Sequence, residues 1–304
     1  MVKKSSRARL FGTIAVSLAA ASCITAAPSS APIAAQFSTV SAEGCEELLS
    51  AERATLVIVE PATNRRLICN AERAAIRFVP ASTYKIPHAL IALETGVVPD
   101  IDTNFEWDSR DRGVAAWNRD LEFGEAITVS AVWVFQDVAS RLGMDTEREW
   151  VDELGYGNQD VGDASDLRHF WLSGPLEISA DEQIEFLMRL VARELPVSET
   201  TKAQIIGALR AGETSAGFPI YGKTGAMLPI DDEGFLRMSV PDLLPTDAER
   251  TGWFVGWIDR PEAEGGPIYF AHNLDLSLPG AMSARTETVY TVLERNGLPS
   301  RNRP

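Results

Sequence analysis

The chain has 304 residues, of which 45% are hydrophobic and 23% charged, enough apolar material for one catalytic unit of ordinary soluble-enzyme composition. Its formal net charge is −15, which argues against nucleic acid or an anionic membrane as a partner; an anionic small substrate would need local cations of its own. The only histidines are His88, His169 and His272, and no pair has a ligand spacing, so metal-dependent hydrolysis is set aside and no metal is expected.

In chain order, Lys3, Lys4, Arg7 and Arg9 precede an apolar, small-residue run from Leu10 to Leu18 and an Ala-, Ser- and Pro-rich stretch reaching Ala35. This pattern predicts a secretory signal peptide within residues 1–35, cleaved after Ala26, Ala27 or Ala35, and a periplasmic or secreted product. Without those four cations the remainder carries −19. Cys23 follows Ala20-Ala21-Ser22, a poor match to a lipoprotein box, so lipidation is the less favoured alternative. No later stretch has roughly eighteen uninterrupted apolar residues, and no membrane span is expected. Cys45 and Cys69 then remain; in an oxidising compartment they form one disulfide or stay as two thiols that never meet.

From Ala51 to Asn70, β-prone residues flank the turn Pro61-Ala62-Thr63-Asn64 and predict a hairpin. Helical spacing runs from Ser82 to Thr95 and from Ser130 to Leu142, closed by Gly96 and Gly143. Shorter helices are predicted over Thr146 to Leu154, Ala180 to Leu190 and Glu199 to Ala211. Strands return between Thr251 and Leu276, and a final helix over Ser283 to Asn296 would cover the sheet. The expected fold is α+β: an antiparallel central sheet built from both chain ends, flanked by helices, with a helical lobe of roughly residues 82–210 inserted into it. The catalytic domain would span residues 36–304. Met227 to Arg250 is longer than an ordinary connection, and loops of that length are usually functional or mobile.

Chemistry gathers in two short motifs. In Ser82-Thr83-Tyr84-Lys85 the serine and lysine lie three positions apart on one helix face. A serine hydroxyl needs a base to take its proton, and a lysine can serve only if burial or the positive helix end lowers its pKa. In Lys223-Thr224-Gly225, placed at an expected edge strand, the lysine supplies a cation, the threonine a hydroxyl, and the glycine allows close approach of a ligand to the backbone. Read singly, the first motif is equally a helix cap with a surface lysine, and the second an exposed strand end. Trp171 alone would be core packing, and Ser130 a cap before Ala131-Val132-Trp133.

Taken in order, Pro80-Ala81-Ser82-Thr83-Tyr84-Lys85-Ile86-Pro87, Leu93-Glu94-Thr95-Gly96, Ser130-Ala131-Val132, Tyr156-Gly157-Asn158, Phe170-Trp171-Leu172, Lys223-Thr224-Gly225 and Gly252-Trp253-Phe254-Val255-Gly256-Trp257 resemble the class D, oxacillinase-type serine beta-lactamases. The resemblance covers nearly all of the chain beyond the leader and implies the serine beta-lactamase and penicillin-binding transpeptidase fold. It implies hydrolysis of beta-lactam antibiotics through a Ser82 acyl-enzyme, with no diffusible cofactor. Carbon dioxide or bicarbonate would carboxylate Lys85 on its side-chain nitrogen, and the resulting N6-carboxylysine would be the general base. Val132, Trp171 and Leu172 would form the carbamate pocket, desolvating the amine, with the Trp171 indole as a donor. Ser130 would pass a proton toward the departing lactam nitrogen. Lys223, Thr224 and Arg285 would hold the substrate carboxylate beside Gly225, and the backbone donors of Ser82 and Ala226 would form the oxyanion hole.

Two departures from the family pattern, Tyr84 where many members have Phe and Ala226 where an aromatic residue often follows Lys-Thr-Gly, touch the walls of the site and bear on substrate range. Tyr156-Gly157-Asn158 reads better as a structural turn than as a class C element. A class A enzyme would need an asparagine where Val132 stands in its own motif, together with a Glu-x-x-x-Asn element. The remaining alternatives are a penicillin-binding transpeptidase or carboxypeptidase, which the apolar Val132 argues against, and a beta-lactam sensor-type binding domain, which should carry membrane helices.

Overall fold

The computed structural model describes residues 32–237 and 250–301. Residues 1–31 of the signal-peptide reading, Cys23 among them, and the centre of the Met227 to Arg250 stretch lie outside the described residues; Ala35, one of the three predicted cleavage points, falls in the first described helical turn.

A helical turn α1 (Ile33–Gln36) leads into strand β1 (Ser38–Ser41), then into the hairpin β2 (Ala54–Glu60) and β3 (Arg65–Cys69) and a short α2 (Ala71–Ala74). The predicted turn Pro61–Thr63 is a single 3-10 turn ending at Asn64, in the left-handed region. A second 3-10 turn, Ala81–Tyr84, runs directly into α3 (Lys85–Glu94). The lobe that follows contains the small ribbon β4 (Asn104–Phe105) and β5 (Leu121–Glu122), then α4 (Phe123–Thr128), α5 (Val132–Leu142), α6 (Met144–Leu154), α7 (Phe170–Ser173), α8 (Ala180–Val191) and α9 (Glu199–Ala208). The chain returns to the sheet through β6 (Arg210–Glu213), β7 (Pro219–Ala226), β8 (Thr251–Ile258) and β9 (Ile268–Asp275), and α10 (Ala281–Arg295) closes it.

The sheet has seven strands in the order β1-β3-β2-β9-β8-β7-β6, so both chain ends do build it and the helical lobe is inserted between β3 and β6. It is mixed rather than purely antiparallel, because β1 pairs with β3 in parallel. With the far edge of β2 taken by β9, β1 can pair only with the outer edge of β3. A chain that reverses between β1 and β2 then runs parallel to β3. Beside this corner Cys45 and Cys69 are joined in a disulfide. The predicted helix from Glu199 stops at Ala208, and Arg210 to Glu213 instead pair with the first half of β7 across a bulge.

Alternation along the central strands sends side chains to two cores. Val57 and Val59 of β2, Trp253, Val255 and Trp257 of β8, and Tyr269 and Ala271 of β9 pack on the helical lobe. Leu56, Ile58, Phe254, Ile258, Phe270 and Leu274 point the other way, onto Val289, Val292 and Leu293 of α10. Both faces are covered, which is why β8 and β9 are buried end to end. Where β7, β8 and β9 pack closest, Gly256 leaves no room for a side chain: a Cβ there would run into the Tyr221 carbonyl oxygen and lie 2.8 Å from Gly222 Cα and from Phe270 Cζ.

Gly256→Ala is therefore expected to force β7 away from β8 and cost about 1–3 kcal/mol, read as a lower urea midpoint. An unchanged midpoint would show that the two strands can part without penalty.

Candidate active site

Residues 80–85 fold into the tightest turn at the junction of sheet and lobe. The Thr83 hydroxyl donates to the Pro80 carbonyl at 2.8 Å, and Ala81 is held at φ +49°, a region that L-residues adopt only at a cost. Two long-range bonds fasten this turn. The Trp253 indole donates to Val79 O at 2.9 Å, and the Gln183 amide donates to Thr83 Oγ1 at 2.8 Å. Strand β7 lies against the same turn, and a Cβ on Gly225 would come within 2.9 Å of Pro80 O and 3.2 Å of Thr83 Cγ2. Only glycine allows that approach.

Ser82 and Lys85 meet. Lys85 Nζ donates to Ser82 Oγ at 2.9 Å, with Ser82 9% exposed and Lys85 fully buried. Burial first, and the nearby Lys223 charge second, hold the Lys85 amine well below the ordinary lysine range. The Phe135 ring centroid lies 5.2 Å from Nζ. Val132, Trp171 and Leu172 belong to the apolar cluster that surrounds Tyr84. The Trp171 indole N–H is buried and has no hydrogen-bond partner among the described residues, an uncommon state for a buried donor.

Ser130 and Lys223 meet as well, Lys223 Nζ donating to Ser130 Oγ at 3.0 Å and to its neighbour Thr224 O at 3.1 Å. Burial, reinforced by the Arg285 charge, lowers Lys223 to about 7. Arg285, on α10, reaches across to donate to Gly225 O at 2.8 Å, and burial lowers its pKa too. Its backbone is held in turn: His272 Nδ1 lies 2.9 Å from Arg285 O, and burial lowers that imidazole to about 4, so Nδ1–H is the donor to the carbonyl. Thr224 and Ala226 occupy the end of β7.

Two expectations need correction. The helix predicted from Ser130 begins at Val132; Ser130 sits at φ +61° in the turn between α4 and α5, with Ala131 at the cap position, so the cap, the alternative reading of Ser130, is not the role it takes, and its hydroxyl meets Lys223 instead. Strand β7 is not an edge strand throughout, since β6 pairs with Pro219 to Tyr221; its Lys223–Ala226 half is partnered by β8 alone. Tyr156-Gly157-Asn158 is a structural turn: Asn158 bonds both Pro175 O and Glu177 N, at 2.9 and 3.0 Å.

Sequence reasoning missed Phe135, His272 and a fully buried polar group formed by Tyr84, His88 and Glu147. Phe135 was findable, being one turn after Val132 on the same helix face. Glu147 also left a trace, because it shares the inward stripe Glu147, Val151, Leu154 of α6, an acid where the spacing calls for an apolar residue. The start of the long β7–β8 segment also borders this lobe: Arg112 sits between the Trp133 and Phe235 rings, 5.0 and 5.3 Å from their centroids, and Gln136 donates to Asp231 O at 3.1 Å.

A sheet over an inserted helical lobe, with a buried serine–lysine pair at their junction, defines an active-site serine enzyme of the penicillin-recognising kind, and residues 54–294 match the family model of the penicillin binding protein transpeptidase domain. The chain is 32% identical over 243 residues to beta-lactamase OXA-5 of Pseudomonas aeruginosa, covering 80% of this chain and 83% of that one. It is 34% identical over 226 residues to beta-lactamase OXA-48 of Klebsiella pneumoniae, covering 74% and 77%. Among solved structures, the class D beta-lactamase YbXI from Nostoc superposes with a TM-score of 0.74 at 30% identity, over 84% of this chain and 99% of that one. FUS-1 (OXA-85) from Fusobacterium nucleatum subsp. polymorphum gives 0.71 at 30%, over 82% and 96%. The chain belongs to the class D beta-lactamases. It is thus a serine hydrolase of the beta-lactam amide bond.

Because the native fold depresses Lys223 to about 7 while the unfolded chain keeps a value near ~10.4, the unfolded chain binds more protons in between and stability rises with pH. The urea midpoint is expected to climb from about pH 7 to about pH 9.5, and Lys223→Met to flatten part of that climb. Equal slopes in the two proteins would mean that Lys223 holds its proton as ordinary lysines do.

Proposed function

We propose that Ser82 is the acylating nucleophile and Lys85 its base. The observation that carries this reading is the 2.9 Å hydrogen bond between Ser82 Oγ and a fully buried lysine amine. Ser82 Oγ attacks the lactam carbonyl and loses its proton on the Lys85 side, and the carbon–nitrogen bond of the ring breaks. Ser130 passes a proton to the departing nitrogen, and the proton that Ser82 gave up replaces it by way of Lys223, 3.0 Å from the Ser130 hydroxyl. Water then gives a proton to the Lys85 base as its oxygen attacks the ester carbonyl, and that proton passes to Ser82 Oγ as the acid leaves, restoring the enzyme. The backbone N–H groups of Ser82 and Ala226 receive the oxyanion, an arrangement typically worth about 3–4 kcal/mol.

The residues around Lys85 fit its carboxylation by carbon dioxide. A nitrogen must be uncharged to attack carbon dioxide, and burial disfavours the ammonium form. Carboxylated, Lys85 would supply a carboxylate base beside Ser82, with the unpartnered Trp171 N–H as its donor and Val132, Leu172 and Phe135 as apolar walls. Lys223, Thr224 and Arg285 would receive the substrate's own carboxylate, providing positive charge at the site of a chain that is acidic overall. The basic and then apolar start of the chain supports export to the periplasm or the medium.

Ser82→Ala is expected to abolish turnover of a chromogenic cephalosporin and the acyl mass increment on the intact protein; retained turnover would remove Ser82 from its role. Wild-type activity should fall when bicarbonate is stripped from mildly acidic buffer and return when it is added back, and a failure to return would leave Lys85 an unmodified amine. Arg285→Ala should raise KM for anionic substrates by about tenfold with a smaller change in kcat; an unchanged KM would dismiss the carboxylate assignment.

A further inference from the structure

Beneath Lys85 lies a polar group that the steps above do not use. The Tyr84 hydroxyl donates to Glu147 Oε2 at 2.8 Å, and His88 Nε2 lies 2.8 Å from Glu147 Oε1. All three residues are fully buried. Tyr84 and His88 stand one turn apart and bracket Lys85 in sequence, whereas Glu147 comes from α6, distant in sequence.

Taking a carboxyl group out of water is costly unless its partners are well placed; Glu147 Oε2 accepts from the Tyr84 hydroxyl, whereas His88 Nε2 and Glu147 Oε1 lie close together without hydrogen-bond geometry. Those neighbours carry the walls of the lysine chamber. The Trp171 ring stacks on Tyr84 at 5.9 Å and meets the His88 ring edge-on at 5.2 Å. Phe135 touches His88 at 5.4 Å while its ring lies 5.2 Å from Lys85 Nζ. The Phe135 ring beside the amine and the unpartnered Trp171 indole therefore both lean on Tyr84 or His88, which lie against Glu147.

We propose that Tyr84, His88 and Glu147 are positioning residues that, by fixing the Trp171 and Phe135 rings, set how readily Lys85 takes up carbon dioxide. The inference rests on the reading of Lys85 as the carboxylation site. Tyr84→Phe keeps the ring but removes the hydroxyl that donates to Glu147 Oε2, and Glu147→Gln keeps the shape but replaces one acceptor with a donor.

The test uses the full-length enzyme and measures three things: the bicarbonate concentration giving half-maximal kcat, the carbamate resonance after addition of carbon-13 bicarbonate, and Tm. Each variant is expected to need about tenfold more bicarbonate than the wild type, as altered outer partners of a reactive group commonly do. Both should recover wild-type kcat at saturating bicarbonate, with KM for the substrate within about twofold. The double variant should behave like the singles rather than as their product, since both cut one network. A folded Tyr84→Phe protein with the wild-type bicarbonate requirement overturns the proposal, even if its Tm is lower, because lost stability alone would not move that requirement. If Glu147→Gln does not fold, Tyr84→Phe decides alone. A wild-type enzyme indifferent to bicarbonate and lacking the resonance would instead overturn the reading of Lys85, and this inference with it.

Discussion

The structure depends above all on the removal of one amine from water. Lys85 is fully buried, and among the described residues it has no carboxylate partner; the charge acting on it is that of another lysine. Holding an ammonium in such a place costs several kcal/mol, and the amine's hold on its proton is weakened accordingly. That effect requires a rigid surround, because a chamber that breathed would admit water and restore the ordinary value. The two-sided packing of β8 and β9, the Trp253 and Gln183 tethers, and the side-chain-free approach of Gly225 to Pro80 all serve that rigidity.

A second constraint is electrostatic. Lys85, Lys223 and Arg285 are gathered at one end of β7 in a chain whose net charge is −15, and each has its pKa lowered by burial. Placing cations together is unfavourable until an anion arrives among them. A site with these groups therefore favours negative charge brought among them. The backbone shares in the cost: Ala81, beside Ser82, and Ser130, whose hydroxyl meets Lys223, both hold positive φ, and strain of this sort persists where the surrounding structure over-determines it.

Much of this was legible in the residues themselves. The serine–lysine spacing, the Lys-Thr-Gly strand, the hairpin, the two-sided apolar strands near the end of the chain and the covering helix follow from periodicity and from elementary chemistry, and their order carried the family resemblance. What stayed hidden depended on contacts between elements distant in sequence. The end of α9 at Ala208 is decided by the unpaired first half of β7, which takes Arg210 to Glu213 as a partner. The parallel pairing of β1 is likewise decided by which strand edges remain open. The cap reading of Ser130 failed because local propensity favours a cap, whereas the contact with Lys223, ninety-three residues away, requires the turn to bend otherwise.

Tyr84 shows how a change in a motif position reshapes the layer behind a site. A phenylalanine at that place would offer only an apolar edge, and the buried Glu147 would lose the hydroxyl that donates to its Oε2. The tyrosine makes Glu147 more tolerable in the core, and Glu147 places a carboxylate 2.8 Å from His88 Nε2. Their rings and the rings they touch are continuous from Phe170 through Trp171 to Phe135. A small shift anywhere in that stack is transmitted to the chamber wall, because close-packed aromatic surfaces move together or not at all. The departure of this chain from the commoner phenylalanine is therefore better understood as one member of a coupled set than as a single altered contact with substrate.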